Sequence, residues 1–277
     1  MNPDTITTPQ DTRKVFRRLG TCSRTFCHVL NRGFGSPSEL EERAADPLAG
    51  GIMGHGHQCG MLWGSALATG AEAHRRCEDR DRAIGLAITA TQHLMKSFVE
   101  RAKSIDCRDV TGCDMTRRLS MARYLLSGRF RYCFDLAEQW APEAIRSATG
   151  GLTDGETGSP CMSMSCASEV ARRMGASDTQ MVMVAGFAGG LGLSGDACGA
   201  LGAAIWMKSL AWCRDHPGRS AYTNPEAKRL LEAFRGATGQ QMLCSTITGQ
   251  RFVTIDEHTE YVRSGGCDEL IELLARS

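Results

Sequence analysis

Two stretches decide the reading of this chain: AGGIMGHGHQCGML at residues 49–62 and AGGLGLSGDACGAL at residues 188–201. They match without a gap at an offset of 139, so that Cys59-Gly60 in the first falls on Cys198-Gly199 in the second. Self-similarity at a long fixed period marks a duplicated folding unit. At the same offset CSRTFC, with Cys22 and Cys27, falls on CMSMSC, with Cys161 and Cys166. Further on, CRDVTG from Cys107 pairs with CSTITG from Cys244, and CFDLAEQWA from Cys133 pairs with CDELIELLA from Cys267. Cys77 and Cys213 are looser counterparts, and Cys113 has none. The chain therefore reads as two copies of one unit, 14–148 and 158–277, joined by a linker at 149–157 within a stretch, 147–160, that is rich in Gly, Ser and Thr. Between the matched cysteines the copies drift: Asp196 replaces His57, and Gly202 replaces Trp63. Residues that hold still while their neighbours drift are under a physical constraint.

The local pattern is helical. Residues 81–103 repeat apolar side chains near a 3.6 period at Ile84, Ala87, Ile88, Leu94, Met95 and Phe98. NPEAKRLLEAFRGATG carries Asn224 as a helix N-cap, Pro225 at the first helical position and Gly236 or Gly239 near its stop. Alternation of the β kind is nearly absent, and only FVTI at 252–255 hints at a strand. The expected fold class is all-α, two similar helical bundles in tandem.

Bulk properties narrow the function. The 277 residues carry a net charge of +1, which gives no sign of nucleic acid or an anionic membrane as partner. The N-terminal residues have basic groups without a following apolar run, so no signal peptide and no membrane span are expected. Thirteen cysteines, an odd number in a chain of this size, fit a secreted disulfide scaffold poorly. In a reducing cytoplasm, the expected location, so many thiols point to metal or redox chemistry.

The glycines before Cys198 suggest how the chain accommodates sulfur. GGLGLSG lacks the Lys-Ser/Thr and the preceding strand of a phosphate-binding loop. Glycines instead let backbone N–H groups approach an anionic sulfur centre, and Cys198 at a helix start gains from the helix dipole. Close packing of small residues explains the same glycines, and the two readings are compatible.

With these residues in view, each half resembles the redox-active family named for its C-GCAxxG-C-C pattern. Cys166-Ala167, AGGLG…CGALGAA with Cys198, CSTITG with Cys244, and Cys267 opening the last helix carry the resemblance in the second half. Cys27, Cys59, Cys107 and Cys133 are the matching positions in the first, where CGMLWGSA departs from the pattern at Met61. The resemblance implies a helical fold and redox activity. It also implies a link to an iron–sulfur centre, because the unit occurs in split-Soret cytochrome c. Family members commonly hold one unit, so a tandem pair is read as a fused pseudo-dimer.

Four thiolates per half are the number that a 2Fe–2S or 4Fe–4S cluster needs, and they also suit tetrahedral zinc. Structural zinc usually draws on paired C-x2-C knuckles, and none is present, so a cluster is favoured. Cys22, Cys161, Cys77 and Cys213 are surplus sulfurs, which permit a larger cluster, a second metal or a thiol–disulfide pair. Met162 and Met164 would suit Cu(I), although methionine is also ordinary core filler. His55 and His57 beside Cys59 are additional candidate ligands, as in Rieske centres, and Cys27-His28 only loosely mimics haem attachment. His74, His93, His216 and His258 are expected at the surface or at helix caps. No catalytic triad, paired-carboxylate or nucleotide motif stands out. The expectation is an iron–sulfur protein that passes electrons to a redox partner protein. Alternatives are a thiol–disulfide redox protein and a Cu- or Zn-binding protein, and a homodimer is compatible with all three. Catalytic residues, and whether the protein is itself an enzyme, stay open.

Overall fold

Helices carry the described residues, 9–158 and 162–277, of the computed structural model. In the first half these are α1 (Pro9–Leu19), α2 (Cys22–Gly33), α3 (Glu39–Ala44), α4 (Gly60–Arg76), α5 (Arg80–Ala102), α6 (Cys107–Thr111), α7 (Arg118–Leu126) and α8 (Phe130–Gly158). The second half supplies α9 (Cys166–Arg173), α10 (Asp178–Met183), α11 (Gly199–Asp215), α12 (Pro225–Ala237), α13 (Cys244–Thr248), α14 (Ile255–Arg263) and α15 (Asp268–Arg276). Short 3-10 turns at Asp46–Leu48 and Ala185–Phe187 precede the two glycine-rich stretches, and a third lies at Ala221–Thr223.

The fold class is thus all-α. Among the described residues extended pairing is limited to two isolated antiparallel bridges, Gln58 with Asp106 and Ala197 with Leu243. Residues 252–255 do not form the strand that FVTI hinted at. Thr254 caps α14 by accepting from the Glu257 N–H, and Glu257 answers with a bond to the Thr254 N–H, which commits Ile255 to a helix. Asn224 and Pro225 start α12 as the sequence predicts, with Asn224 Oδ1 accepting from the Glu226 N–H at 2.9 Å.

Residues 149–157, expected as a linker, continue α8 as helix. Their glycine content has a packing cause: a Cβ on Gly151 would stand 2.6 Å from the Ala90 Cα of α5. The small residue lets two long helices touch.

One hydrophobic core runs through both halves and includes Trp63, Trp140, Trp206, Phe26 and Phe187. Matched positions of the two copies meet in space. Trp63 of α4 covers Gly202 of α11, where an added Cβ would lie 2.6 Å from the indole ring. Gln58 Nε2 donates to the carbonyl of its own counterpart, Ala197, at 3.4 Å, and to Gly190 O at 2.8 Å. Equivalent residues meet only near a two-fold axis. This explains why the copies differ there: two tryptophans cannot fill one space, so one copy has glycine. Among the described residues no helix is long and apolar enough to cross a membrane.

Candidate functional site: thiols at helix N-termini

The two glycine-rich stretches fold as left-handed turns. Gly50, Gly51, Ile52, Met53 and Gly54 all have positive φ, and so do Gly189, Gly190, Leu191, Gly192 and Leu193, all between 52° and 85°. Each left-handed L-residue costs about 1–2 kcal/mol, and such strain collects where function requires it. The turns hold together through reversed-hand bonds such as Gly56 N to Gly50 O at 2.9 Å and its counterpart Gly195 N to Gly189 O at 2.9 Å. Their leading N–H groups are left free to face sulfur. Gly50 donates to Cys22, and Gly189 donates to Cys166.

Around these turns, four thiols per half gather at helix starts. Cys22 and Cys166 are the first residues of α2 and α9; Cys59 and Cys198 are the N-caps of α4 and α11. Cys107 and Cys244 open α6 and α13, Cys133 lies in the first turn of α8, and Cys267 is the N-cap of α15. The antiparallel bridges tie these starts together. Cys59 N donates to Ile105 O (2.7 Å) and Cys107 N to His57 O (2.7 Å), with Cys198 N to Met242 O (2.8 Å) and Cys244 N to Asp196 O (2.6 Å) in the second half.

Electrostatics separates the thiols. Cys22 is drawn down to about 7 by a hydrogen bond from Cys59, against burial, with help from the N–H groups of Gly50, Ser23 and its own residue. Cys59 is pushed up by the same bond and by burial. Burial lifts Cys107, Cys133 (to about 11), Cys166, Cys198 (to about 12), Cys244 and Cys267, and repulsion from neighbouring cysteines adds to it in all of these but Cys166. Most of these sulfurs therefore stay protonated until a cation arrives, and a cation's field would favour four thiolates at once.

A cavity of about 350 Å³ opens onto the first set and is lined by Cys22, Cys59, Cys107 and Cys133 together with Met61, Val110, Phe130 and Phe134. Tyr124 and Tyr222 complete it, and no motif in the sequence marks either. The Tyr124 hydroxyl lies 3.3 Å from Cys133 Sγ, and Tyr261 bonds Cys267 in the matching place. Tyr222 comes from the second half. Buried Asp46 accepts from Thr21 beside Cys22 (2.7 Å) and from Ser220 (2.7 Å) and the Ala221 N–H (3.2 Å), which fixes the Tyr222 loop over the first cavity.

Cys27 is not among the gathered thiols; Cys22 takes its place. The gap-free match through C-x4-C is out of step by five residues, four of them in the greater length of α2 (12 residues) over α9 (8). Cys27 is fully buried and faces a polar cluster. Asn31 Nδ2 lies 3.8 Å from its sulfur and donates to Glu42 at 3.1 Å, while Arg32 (2.8 Å) and His28 (2.8 Å) hold the same carboxylate.

The surplus candidates lie elsewhere. Cys77 ends α4, about 27 Å along the axis from Cys59, and Cys213 is about 22 Å along α11 from Cys198. His55 and His57 line a different cavity of about 420 Å³ with Asp106, Arg108 and Arg235. Met162 is exposed, and Cys161 lies outside the described residues. Cys113 is buried beside Cys107, and the Ser120 hydroxyl lies 3.5 Å from its sulfur. His258, expected at the surface, is buried under Phe252, with Nδ1 3.3 Å from Met164 O. None of the described cysteines forms a disulfide, and among the described residues no three His, Cys, Asp or Glu groups converge tightly enough for one metal ion.

These features define an all-helical tandem protein with four thiols gathered at helix starts in each half. The chain belongs to the C_GCAxxG_C_C family: its model, described as "Putative redox-active protein (C_GCAxxG_C_C)", matches residues 21–144 and again 160–277. No curated protein and no solved structure is significantly similar to the chain.

Proposed function

We propose that the protein transfers electrons through iron–sulfur centres, one held by Cys22, Cys59, Cys107 and Cys133 and the other by Cys166, Cys198, Cys244 and Cys267. The observation that carries this reading is the placement of all eight thiols at an N-cap or in a first helical turn. Helix N-termini favour negative charge, and the thiolate is the form that ligates. In the first half the sulfurs line a cavity instead of converging on a point, whereas tetrahedral zinc, at Zn–S of about 2.3 Å, needs four sulfurs in mutual contact. That spacing favours a polynuclear centre over a single Zn or Cu(I). When bound, such a centre supplies reversible one-electron chemistry. The chain's own residues set its environment: the Gly50 and Gly189 N–H groups bond sulfur, the Tyr124 hydroxyl sits against Cys133, Tyr261 donates to the Gly266 carbonyl beside Cys267, and Phe130 and Phe134 keep the first cavity dry. The free thiols of the described cysteines suit a reducing compartment such as the cytoplasm.

A second reading rests on the bond between Cys22 and Cys59. Those two thiols, with one drawn toward thiolate, are poised to form a disulfide, releasing two protons and two electrons to an external oxidant of the disulfide class. Anaerobic purification with iron and acid-labile sulfide quantification decides between the two. Iron and sulfide in equal amounts, with visible absorption bleached by dithionite, support the cluster. A colourless, iron-free protein that gains two thiols on reduction overturns it in favour of the disulfide.

A further inference from the structure

The rim of the first cavity carries a surface that the thiols do not explain. Between Met115 and Phe134 the chain holds Arg117, Arg118, Arg123, Arg129 and Arg131 and no acidic residue. All five arginines are exposed. Among the described residues only Arg117 of the five has a carboxylate partner, Asp114 at 3.6 Å. On α7, Leu119, Ala122 and Leu126 recur at i, i+3 and i+7 and form an outward apolar stripe. Leu119 is 87% and Leu126 89% exposed, with Leu125 and Tyr132 beside them. Arg118 and Arg123 flank the stripe, so the face has the apolar centre and charged rim of a protein interface. The inward side of the same helix is Tyr124, which touches Cys133. The corresponding helix over the second set, α14, carries Asp256, Glu257 and Glu260 with a single arginine.

We propose that α7 and the start of α8 form the docking surface for a small acidic electron-carrier protein, one whose carboxylates surround its own redox group. Charge complementarity selects that partner and speeds its encounter. The leucine stripe supplies contact area, and docking there sets the partner's centre against the Tyr124–Cys133 wall. The second set, beneath an acidic helix, repels the same partner. Electrons therefore enter or leave through the first half. This assignment rests on the redox reading of the thiol sets.

The test is equilibrium binding of the full chain, loaded anaerobically, to an acidic [2Fe–2S] ferredoxin, with a basic cytochrome c as control. Binding to the ferredoxin at low salt is expected to weaken at least about tenfold when ionic strength shortens the Debye length to roughly 8 Å. The triple change Arg118→Glu/Arg123→Glu/Arg131→Glu is expected to abolish it, and Leu119→Ser/Leu126→Ser to weaken it. Asp256→Lys/Glu260→Lys on α14 is expected to leave it intact. All of these side chains are exposed, and circular dichroism checks the fold. No salt-sensitive binding to the ferredoxin, or binding indifferent to the arginine reversals, overturns the proposal. Binding to phosphatidylglycerol vesicles in place of the ferredoxin overturns it in favour of a membrane surface. Iron and sulfide content reads the redox assignment separately, so its failure and that of the docking surface are distinguishable.

Discussion

Glu42 is 1% exposed and sits among His28, Asn31 and Arg32. Burial alone would raise its carboxyl, but hydrogen bonds from His28 and Asn31 and the nearby charges outweigh it and hold the group at about 2. Relative to an unfolded carboxyl near 4.5, this contributes about 3 kcal/mol at neutral pH. The contribution is complete above the unfolded value and is lost as pH falls from there through about 2. Thermal melts between pH 7 and pH 2 should show that loss, and Glu42→Gln should be less stable by about 3 kcal/mol at pH 7 with a flatter acid limb. The same cluster surrounds Cys27, away from the gathered thiols. On the proposed cluster assignment, Cys22→Ser should remove iron from the first half while Cys27→Ser leaves it in place. In metal-free protein, alkylation of Cys22 followed by mass spectrometry should accelerate as pH rises through about 7, because the thiolate is the nucleophile.

At the scale of the element, the left-handed glycine turn is the part least open to change. Gly51 has φ of 69°, and a Cβ there would stand 2.2 Å from His57 O; at Gly190 it would stand 2.7 Å from Asp196 O. Gly51→Ala and Gly190→Ala should each cost about 1–3 kcal/mol or more in urea denaturation. They should also reduce iron retention in their own half only, since the turn's N–H groups bond that half's sulfur. Helix contacts set a similar limit at Gly64, whose Cβ would meet Ser23 O at 1.9 Å and push α4 away from α2. Tyr124→Phe is the milder probe: the fold should persist while the visible spectrum and midpoint potential of the first centre shift, because one hydroxyl bond to Cys133 is gone.

Across the whole molecule the halves complete each other. Trp63 is buried against the second half, and Tyr222 of the second half closes the first cavity. Trp63→Ala should cost about 3–5 kcal/mol, measured by urea denaturation. Residues 1–158 and 159–277 expressed separately should fail to give cooperative unfolding transitions until mixed, because each exposes the shared core. An independently folded second fragment would contradict a single core common to both halves.

The all-helical class and the duplication follow from the sequence alone, as do seven of the eight gathered thiols: Cys59, Cys107, Cys133, Cys166, Cys198, Cys244 and Cys267. Periodicity and capping are local signals, and a repeat shows in linear order whatever the chain does in space. Cys22 in place of Cys27 was not legible, because a five-residue shift, four residues of it in the longer α2, leaves a false C-x4-C match intact. Nor were the left-handed hand of the glycine turns, the helical linker, buried His258, and the tyrosines at the rim. These depend on which residues from distant segments meet, and only packing around the shared core decides that.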